Sequence, residues 1–367
     1  MLRRPHANRE TAFAHTVTHA VAANRFGGVF AEIGSMLVAA LRRAGCEATL
    51  VDGRGGAERS IDRLLLLGAG VEFDDVIARV RAARSDVEVV LWAFDPVPPP
   101  DLTDTELSKG LTLGRRLNRM RRMERGVGGP TGSAGRYGRL KRGVRAAGLR
   151  LASGGRATAP ETAFAFERLV WVLDALGTGR VDRVFASSLA SVRMLERCGL
   201  AATYLPMPFD PALGVDHGGT RDLDVVFLGS TLDQRAGRVA RISSALASRG
   251  LTLTVVDAGC YGDDRVALLN RARISLNLHK FPWHLERIRL QLSMACGAAV
   301  VSELPLADPA PFEQGRHLEA ASFDDLASVI VDLLADEPRR RSLVEEAAAL
   351  IHRGPTMDSF ATMLLAG

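Results

Sequence analysis

Short apolar runs of strand length alternate with amphipathic stretches of helical length along nearly the whole of this chain, and few folds accept such an alternation. HTVTHAVAA (15–23) is a β-branched run, and NRFGGVFAEIGSMLVAALRRAG behind it is a glycine turn opening into a helix that stops at Gly45. EATLVDG and RLLLLG read as two further strands and FDDVIARVRAARSD as a helix from near Asp74. VEVVLWAFDP is a continuous apolar run of the kind that fills a buried parallel strand, and PVPPPD closes the unit. Beyond a basic stretch come a helix (ETAFAFERLVWVLDALG), a strand (DRVFASS), a helix (LASVRMLERCG) and a strand (ATYLPMP).

Residues 209–221 are rich in Pro, Gly and Asp, and behind them the alternation restarts, so they read as a linker between domains. LDVVFLGS, LTLTVVD, RISLNLH and AAVVSE are the strands of the second unit, with QRAGRVARISSALASRG, DDRVALLNRA and the LERIRLQLSMACG stretch as helices between them. FDDLASVIVDLLAD, PRRRSLVEEAAALIHRG and a short helix near Asp358 to Leu365 end the chain. The expected fold is α/β: two doubly wound, Rossmann-like parallel-sheet domains, 1–208 and 222–353, facing a central cleft, with 354–367 as a tail able to cross back to the first domain. In such sheets ligands bind outside the carboxyl ends of the strands.

A chain of 367 residues, 47% hydrophobic, can bury two cores of ordinary size. No apolar run reaches the roughly 20 residues that span a bilayer, and Met1 to His6 lead into mixed polar sequence, which points to a cytoplasmic protein. Cys46, Cys198, Cys260 and Cys296 are widely separated, so buried reduced thiols are expected rather than a disulfide framework or zinc site. The net charge of +5 is concentrated: between Arg115 and Arg150 twelve Arg or Lys face the single acid Glu124. This basic insertion, bounded at 110–155, suits an anionic membrane surface at the inner face of the membrane or an anionic substrate, and otherwise reads as a solvated, solubilising segment. Nucleic acid is the weaker choice, because Tyr137 alone offers base stacking there.

With those runs placed, NLH followed by LERIRLQLSMACGAAVVSE resembles the donor-binding segment of GT-B-fold glycosyltransferases, where an E-x-x-R helix leads to a small-residue turn and a VVSE strand. DVVFLGSTLDQR resembles the first strand and loop of their C-terminal domain, and DRVFASSLASVRMLERCGLAATYLPMPFDP the end of their N-terminal domain. The nearest branch is the group 1-like and spore-maturation (CgeB-like) glycosyltransferases. The likeness spans Asp182 to Gly354 and, in outline, the first hundred residues. It implies a nucleotide-sugar donor as substrate, no separate cofactor, and a hydroxyl-bearing small-molecule or lipid-linked acceptor.

A departing diphosphate gains negative charge, so cations and backbone donors belong beside it. Gly229 lets the chain approach a phosphate, Ser230 can donate a hydrogen bond, and Arg235 lies near a helix start. Glu286 and Arg289 are three apart, neighbours on one helix face, suited to a ribose hydroxyl and a phosphate; the alternative is an exposed ion pair. Many relatives carry a second glutamate where this chain has Leu292, which leaves Glu286 as the remaining carboxylate of the site. His279 is expected at the crevice end of its strand with Asn277 on the same side, and Ser302 and Glu303 at the same sheet edge; His284 reads as a capping residue.

On the facing domain, Gly27 and Gly28 match by resemblance the loop that approaches the donor phosphates. Asp95, ending a buried strand, is the best carboxylate to activate an acceptor hydroxyl, with a strand cap as the alternative. No D-x-D motif lies at a strand end, so a metal-independent transferase is expected, its leaving group met by Arg235, Arg289 and helix N-termini. A nucleotide-sugar-binding protein without turnover and a sugar-nucleotide epimerase are the competing readings.

Overall fold

A computed structural model describes residues 18–23, 28–51, 61–127, 160–231, 235–257, 259–305 and 308–366. The first domain carries β1 (Thr18–Ala23), β2 (Glu47–Val51), β3 (Arg63–Leu67), β4 (Glu88–Ala93), β5 (Arg183–Ala186) and β6 (Thr203–Tyr204), all parallel, in the order β2-β1-β3-β4-β5-β6. The helices are α1 (Gly28–Arg43), α2 (Asp74–Ala83), α3 (Asp104–Val127), α4 (Pro160–Gly177) and α5 (Leu189–Arg197). Period-two alternation explains why the central strands are apolar throughout: Leu64, Leu66, Val89 and Leu91 feed one core, Leu65, Leu67, Val90 and Trp92 the other.

The second domain repeats the winding. β7 (Leu223–Leu228), β8 (Leu253–Val256), β9 (Ala272–Asn277), β10 (Ala299–Glu303) and β11 (Glu319–Ala321) are parallel in the order β8-β7-β9-β10-β11. Around them lie α6 (Arg235–Ala247), α7 (Gly262–Arg271), α8 (Arg287–Ala295), α9 (Leu326–Ala335) and α10 (Glu337–Arg353). In both sheets the winding direction reverses beside the first strand, at β1/β3 and at β7/β9, and a crevice opens at such a point.

Two chain crossings join the domains and touch each other: the Phe209 N–H donates to Pro355 O at 2.8 Å and the Met357 N–H to Phe209 O at 3.0 Å. α11 (Met357–Ala366) then lies on the first domain. Its Phe360 ring meets Trp92 at 4.4 Å between centroids, Asp358 pairs with Arg43 at 2.6 Å, and Arg63 donates to Leu364 O at 3.0 Å. The tail thus covers the face of the first sheet that α1 leaves open. Between the domains, buried Arg265 of α7 pairs with Glu32 of α1 at 2.5 Å, and the same carboxylate accepts from the Gly262 N–H at 2.6 Å.

Several elements differ from expectation. Residues 110–127, assigned to a basic insertion, continue α3, and that helix is packed: Leu117 and Asn118 are buried, and Asn118 donates to Glu167 O of α4 at 3.0 Å. Arg121 and Arg122 are committed to Glu167 and Asp74 at 2.7 and 2.8 Å. The charge run hid a helix because its leucines, Leu111, Leu113 and Leu117, are outnumbered by the arginines around them and interrupted by glycines. The rest of that segment, 128–155, and residues 15–17 of the first run lie outside the described residues. ATYLPMP contributes only Thr203–Tyr204 as strand. All four cysteines are free, but Cys296 alone is buried, the others being half-buried.

His19 sits on β1 facing the core under α11, fully buried, with neither ring nitrogen hydrogen-bonded among the described residues. Burial first, and then Arg63, push its pKa from 6.5 down to about 4. Between those values the unfolded chain takes a proton that the folded chain refuses, so stability is complete above the unfolded pKa and falls as pH drops toward 4. At 1.36 kcal/mol per pH unit the loss reaches at most about 3 kcal/mol. Denaturant unfolding at neutral pH and at about pH 4.5 should show it, and His19→Leu should flatten that dependence.

Candidate functional site

A cleft of about 450 Å³ lies between the two sheets at the carboxyl ends of their strands. From the first domain it is lined by Val29 and Phe30 in the first turn of α1, Phe94, Asp95 and Pro96 after β4, and Phe164 and Arg168 of α4. From the second come Leu228 ending β7 with Gly229 and Ser230 behind it, Arg235 opening α6, Asp257, Gly259, Cys260 and Tyr261, and Lys280, Phe281, His284, Glu286, Ile288, Arg289 and Leu292 around the start of α8. Three helices, α1, α6 and α8, thus present their N-terminal turns to one space, where the positive ends of their dipoles favour an anion.

The loop after β7 is shaped for close approach. Gly229 has φ 156°, and a Cβ there would lie 3.1 Å from the Arg289 guanidinium, so a side chain would press on the cation beside it. The Thr231 N–H donates to Asp257 at 2.5 Å, tying this loop to the one after β8. Arg289 is held from behind: it donates to Asn277 Oδ1 at 3.1 Å and to Leu278 O at 3.3 Å, and lies over the Phe227 ring at 5.9 Å. Asn277 in turn donates to Ser302 Oγ at 2.9 Å.

Glu286 is not inside the helix but at the position just before α8, where its side chain makes no capping bond to the helix. Burial pushes its carboxyl up, yet Arg289, His284, Arg235 and Lys280 together outweigh burial and hold its pKa below the ordinary value. A carboxylate kept ionised by four positive or protonatable groups marks this end of the cleft as cationic. His284, expected as a cap, is instead half-buried on the cleft wall, and burial lowers its pKa, so that the imidazole is neutral near pH 7.

Asp95 sits across the cleft. Its Oδ2 accepts from the Ala69 N–H at 2.6 Å and its Oδ1 is 3.9 Å from Arg168 Nε. Burial raises its pKa, Arg168 and the Ala69 bond oppose the rise, and Glu72 adds to it. The carboxyl is therefore both a tie between β3 and β4 and a base of raised strength facing the cleft.

Of the residues singled out from sequence, Asp95, Gly229, Ser230, Arg235, Glu286 and Arg289 come together here. Gly28 adjoins: a Cβ on it would meet the Tyr261 ring at 2.8 Å, so α1 starts against the second domain; Gly27 lies outside the described residues. Asn277, His279, Ser302 and Glu303 do not line the cleft. They form a buried set behind it, in which His279 Nε2 meets Glu303 O at 2.6 Å, the His279 N–H donates to Glu303 Oε2 at 3.1 Å, and Glu303 pairs with Arg238. Ile288 and Leu292 also line the cleft. Sequence reasoning missed Phe30, Phe94, Phe164, Arg168, Lys280, Phe281 and Tyr261. A signal existed for one: Arg168 is a lone cation inside the apolar run of ETAFAFERLVWV.

Among the described residues no three His, Cys, Asp or Glu side chains gather as a metal-ligand set, and no helix is long and apolar enough to cross a membrane. Residues 232–366 match the model of the glycosyl transferase-like family. No curated protein sequence matches the chain. Among solved structures, HepE from Anabaena, crystallised in complex with UDP and glucose, superposes with a TM-score of 0.56 at 13% identity, over 95% of this chain and 98% of that one. WaaG, a glycosyltransferase involved in lipopolysaccharide biosynthesis, gives a TM-score of 0.56 at 11% identity over 96% of this chain and 100% of its own. TarM gives 0.52 at 7% identity, and the alignment spans 54% of the TarM chain. At these identities the likeness establishes the fold, which is GT-B: two Rossmann-like domains facing a cleft.

Proposed function

We propose that this protein is a glycosyltransferase that moves a sugar from a nucleoside diphosphate donor to a hydroxyl-bearing acceptor. The observation that carries the reading is the convergence of Gly229, Ser230, Arg235 and Arg289 on one wall of the cleft, with Asp95 opposite. The two guanidiniums and the helix N-termini would receive the diphosphate and the charge it gains as the glycosidic bond to it breaks. Glu286, ionised among cations, would accept hydrogen bonds from donor hydroxyls, and Asp95 would take the acceptor proton if the reaction inverts the anomeric carbon. The family match over the second domain and the complexes of HepE with UDP and glucose support a nucleotide-sugar partner. The segment from Asn277 to Glu303 supports the group 1-like, spore-maturation branch. Arg235, Arg289 and the helix ends make a metal-independent departure feasible, which retained transfer in the presence of a chelator would check.

Titration calorimetry with free nucleoside diphosphates and a panel of nucleotide sugars, followed by a donor-hydrolysis assay, tests the proposal. Binding together with released nucleoside diphosphate is expected. Tight binding without any release would instead favour a binding protein without turnover, the reading that Leu292 in the place of a second glutamate supports. An isomerised nucleotide sugar with no released diphosphate would select an epimerase.

A further inference from the structure

The outer face of α3 is left unexplained by sugar transfer. On it Lys109, Arg115, Arg116 and Arg119 are exposed, and none of the four has an ion-pair partner among the described residues. Arg121 and Arg122, by contrast, are spent on Glu167 and Asp74. No acid occurs between Glu106 and Glu124, so the face carries one sign of charge for more than four turns. Arg115 and Arg119 are also four apart, a repulsive spacing on a helix. Among these cations stand Met120 and Met123, 40% and 56% exposed and one turn apart. A face built only for solubility has no use for exposed thioethers or for unrelieved like charge.

We propose that this face docks on the surface of an anionic lipid bilayer. Arginine forks pair with lipid phosphates, and two flexible apolar side chains on the same stripe can enter the headgroup boundary, which is the composition of an interfacial helix. A duplex nucleic acid would satisfy the cations but offers the methionines nothing, and the face has no aromatic side chain to stack on bases. α3 rests on α4, the helix that sends Phe164 and Arg168 into the cleft, so docking would hold the enzyme's acceptor side close to the membrane.

The test is cosedimentation of the full chain with phosphatidylcholine vesicles, with and without phosphatidylglycerol, in the absence of any donor, so that the outcome is independent of sugar transfer. Binding is expected only with the anionic lipid, falling steeply with salt. Arg115→Glu combined with Arg116→Glu and Arg119→Glu should lower vesicle affinity by about a hundredfold or more. Met120→Ser with Met123→Ser, which leaves the charge intact, should lower it by roughly tenfold. The gentler Arg116→Gln with Arg119→Gln serves should the triple reversal fail to fold, and should still weaken binding several-fold. Equal binding to neutral and anionic vesicles, unchanged binding by the variants, or tighter binding to duplex DNA or RNA than to the anionic vesicles would each overturn the proposal.

Discussion

Arg289→Ala is expected to raise the dissociation constant for a free nucleoside diphosphate by roughly 10- to 100-fold, the worth of one guanidinium making charge-assisted hydrogen bonds. The magnitude is large because the cation is already aimed. Asn277 and the Leu278 carbonyl hold it from behind, Phe227 lies beneath it, and Gly229 leaves the space in front. Little ordering is left to be done on binding, so most of the contact energy appears as affinity. Arg235→Ala should act in the same direction. A second consequence separates a local effect from a global one: Arg289 is the foremost of the groups holding down the Glu286 pKa, so its removal should shift that carboxyl upward and move the acidic limb of donor hydrolysis to higher pH. Affinity for both the diphosphate and the sugar nucleotide left as it was would remove Arg289 from the phosphate site.

How far this site was legible in the sequence depends on what each residue's neighbours are. Gly229, Ser230, Arg235, Glu286 and Arg289 could be found because strand ends and helix starts in a doubly wound sheet fall on one edge, and local period alone places them there. The same rule placed Asn277, His279, Ser302 and Glu303 at that edge, but not which way they turn. β9 and β10 are adjacent, so their terminal polar groups satisfy one another before they reach the cleft. Buried groups without water find partners where they can. The wall that Phe94, Phe164 and Lys280 add could not be read, since it forms only when two domains meet across a crossing that no local pattern encodes; Arg168 alone left a trace, a cation inside an apolar run. α3 was missed for a different reason. Its buried face carries Leu107, Gly110, Gly114, Leu117 and Asn118, and the two glycines pressed against Phe166 interrupt the hydrophobic stripe between the two leucines.

Arg168→Met should cost about 3 to 5 kcal/mol of stability at neutral pH, because it removes the one cation from a buried cluster and leaves two carboxylates behind. Arg168 is 2% exposed and donates to Glu72 at 2.6 Å and to the Ala69 carbonyl, with Asp95 at 3.9 Å; Glu72 and Asp95 are themselves 10% and 13% exposed. Methionine fills similar volume, so the loss reports charge rather than a cavity. The pH dependence has a definite sign. Asp95 is already raised by burial, and Arg168 is the foremost group resisting the rise, so in the variant its pKa climbs further. A carboxyl whose folded pKa lies above its unfolded pKa favours the folded state while protonated, and that contribution is lost as pH rises through the folded pKa. The deficit of the variant should therefore shrink as the pH falls below neutral and widen as it rises, opposite in slope to the effect of His19. Denaturant unfolding of wild type and variant across that range reads both quantities. A variant within about 1 kcal/mol of wild type at neutral pH would mean that the cluster is solvated and that Asp95 is not tuned by Arg168. If Asp95 takes the acceptor proton, the same substitution should move the acidic limb of transfer upward in step with the stability data, since one carboxyl would govern both.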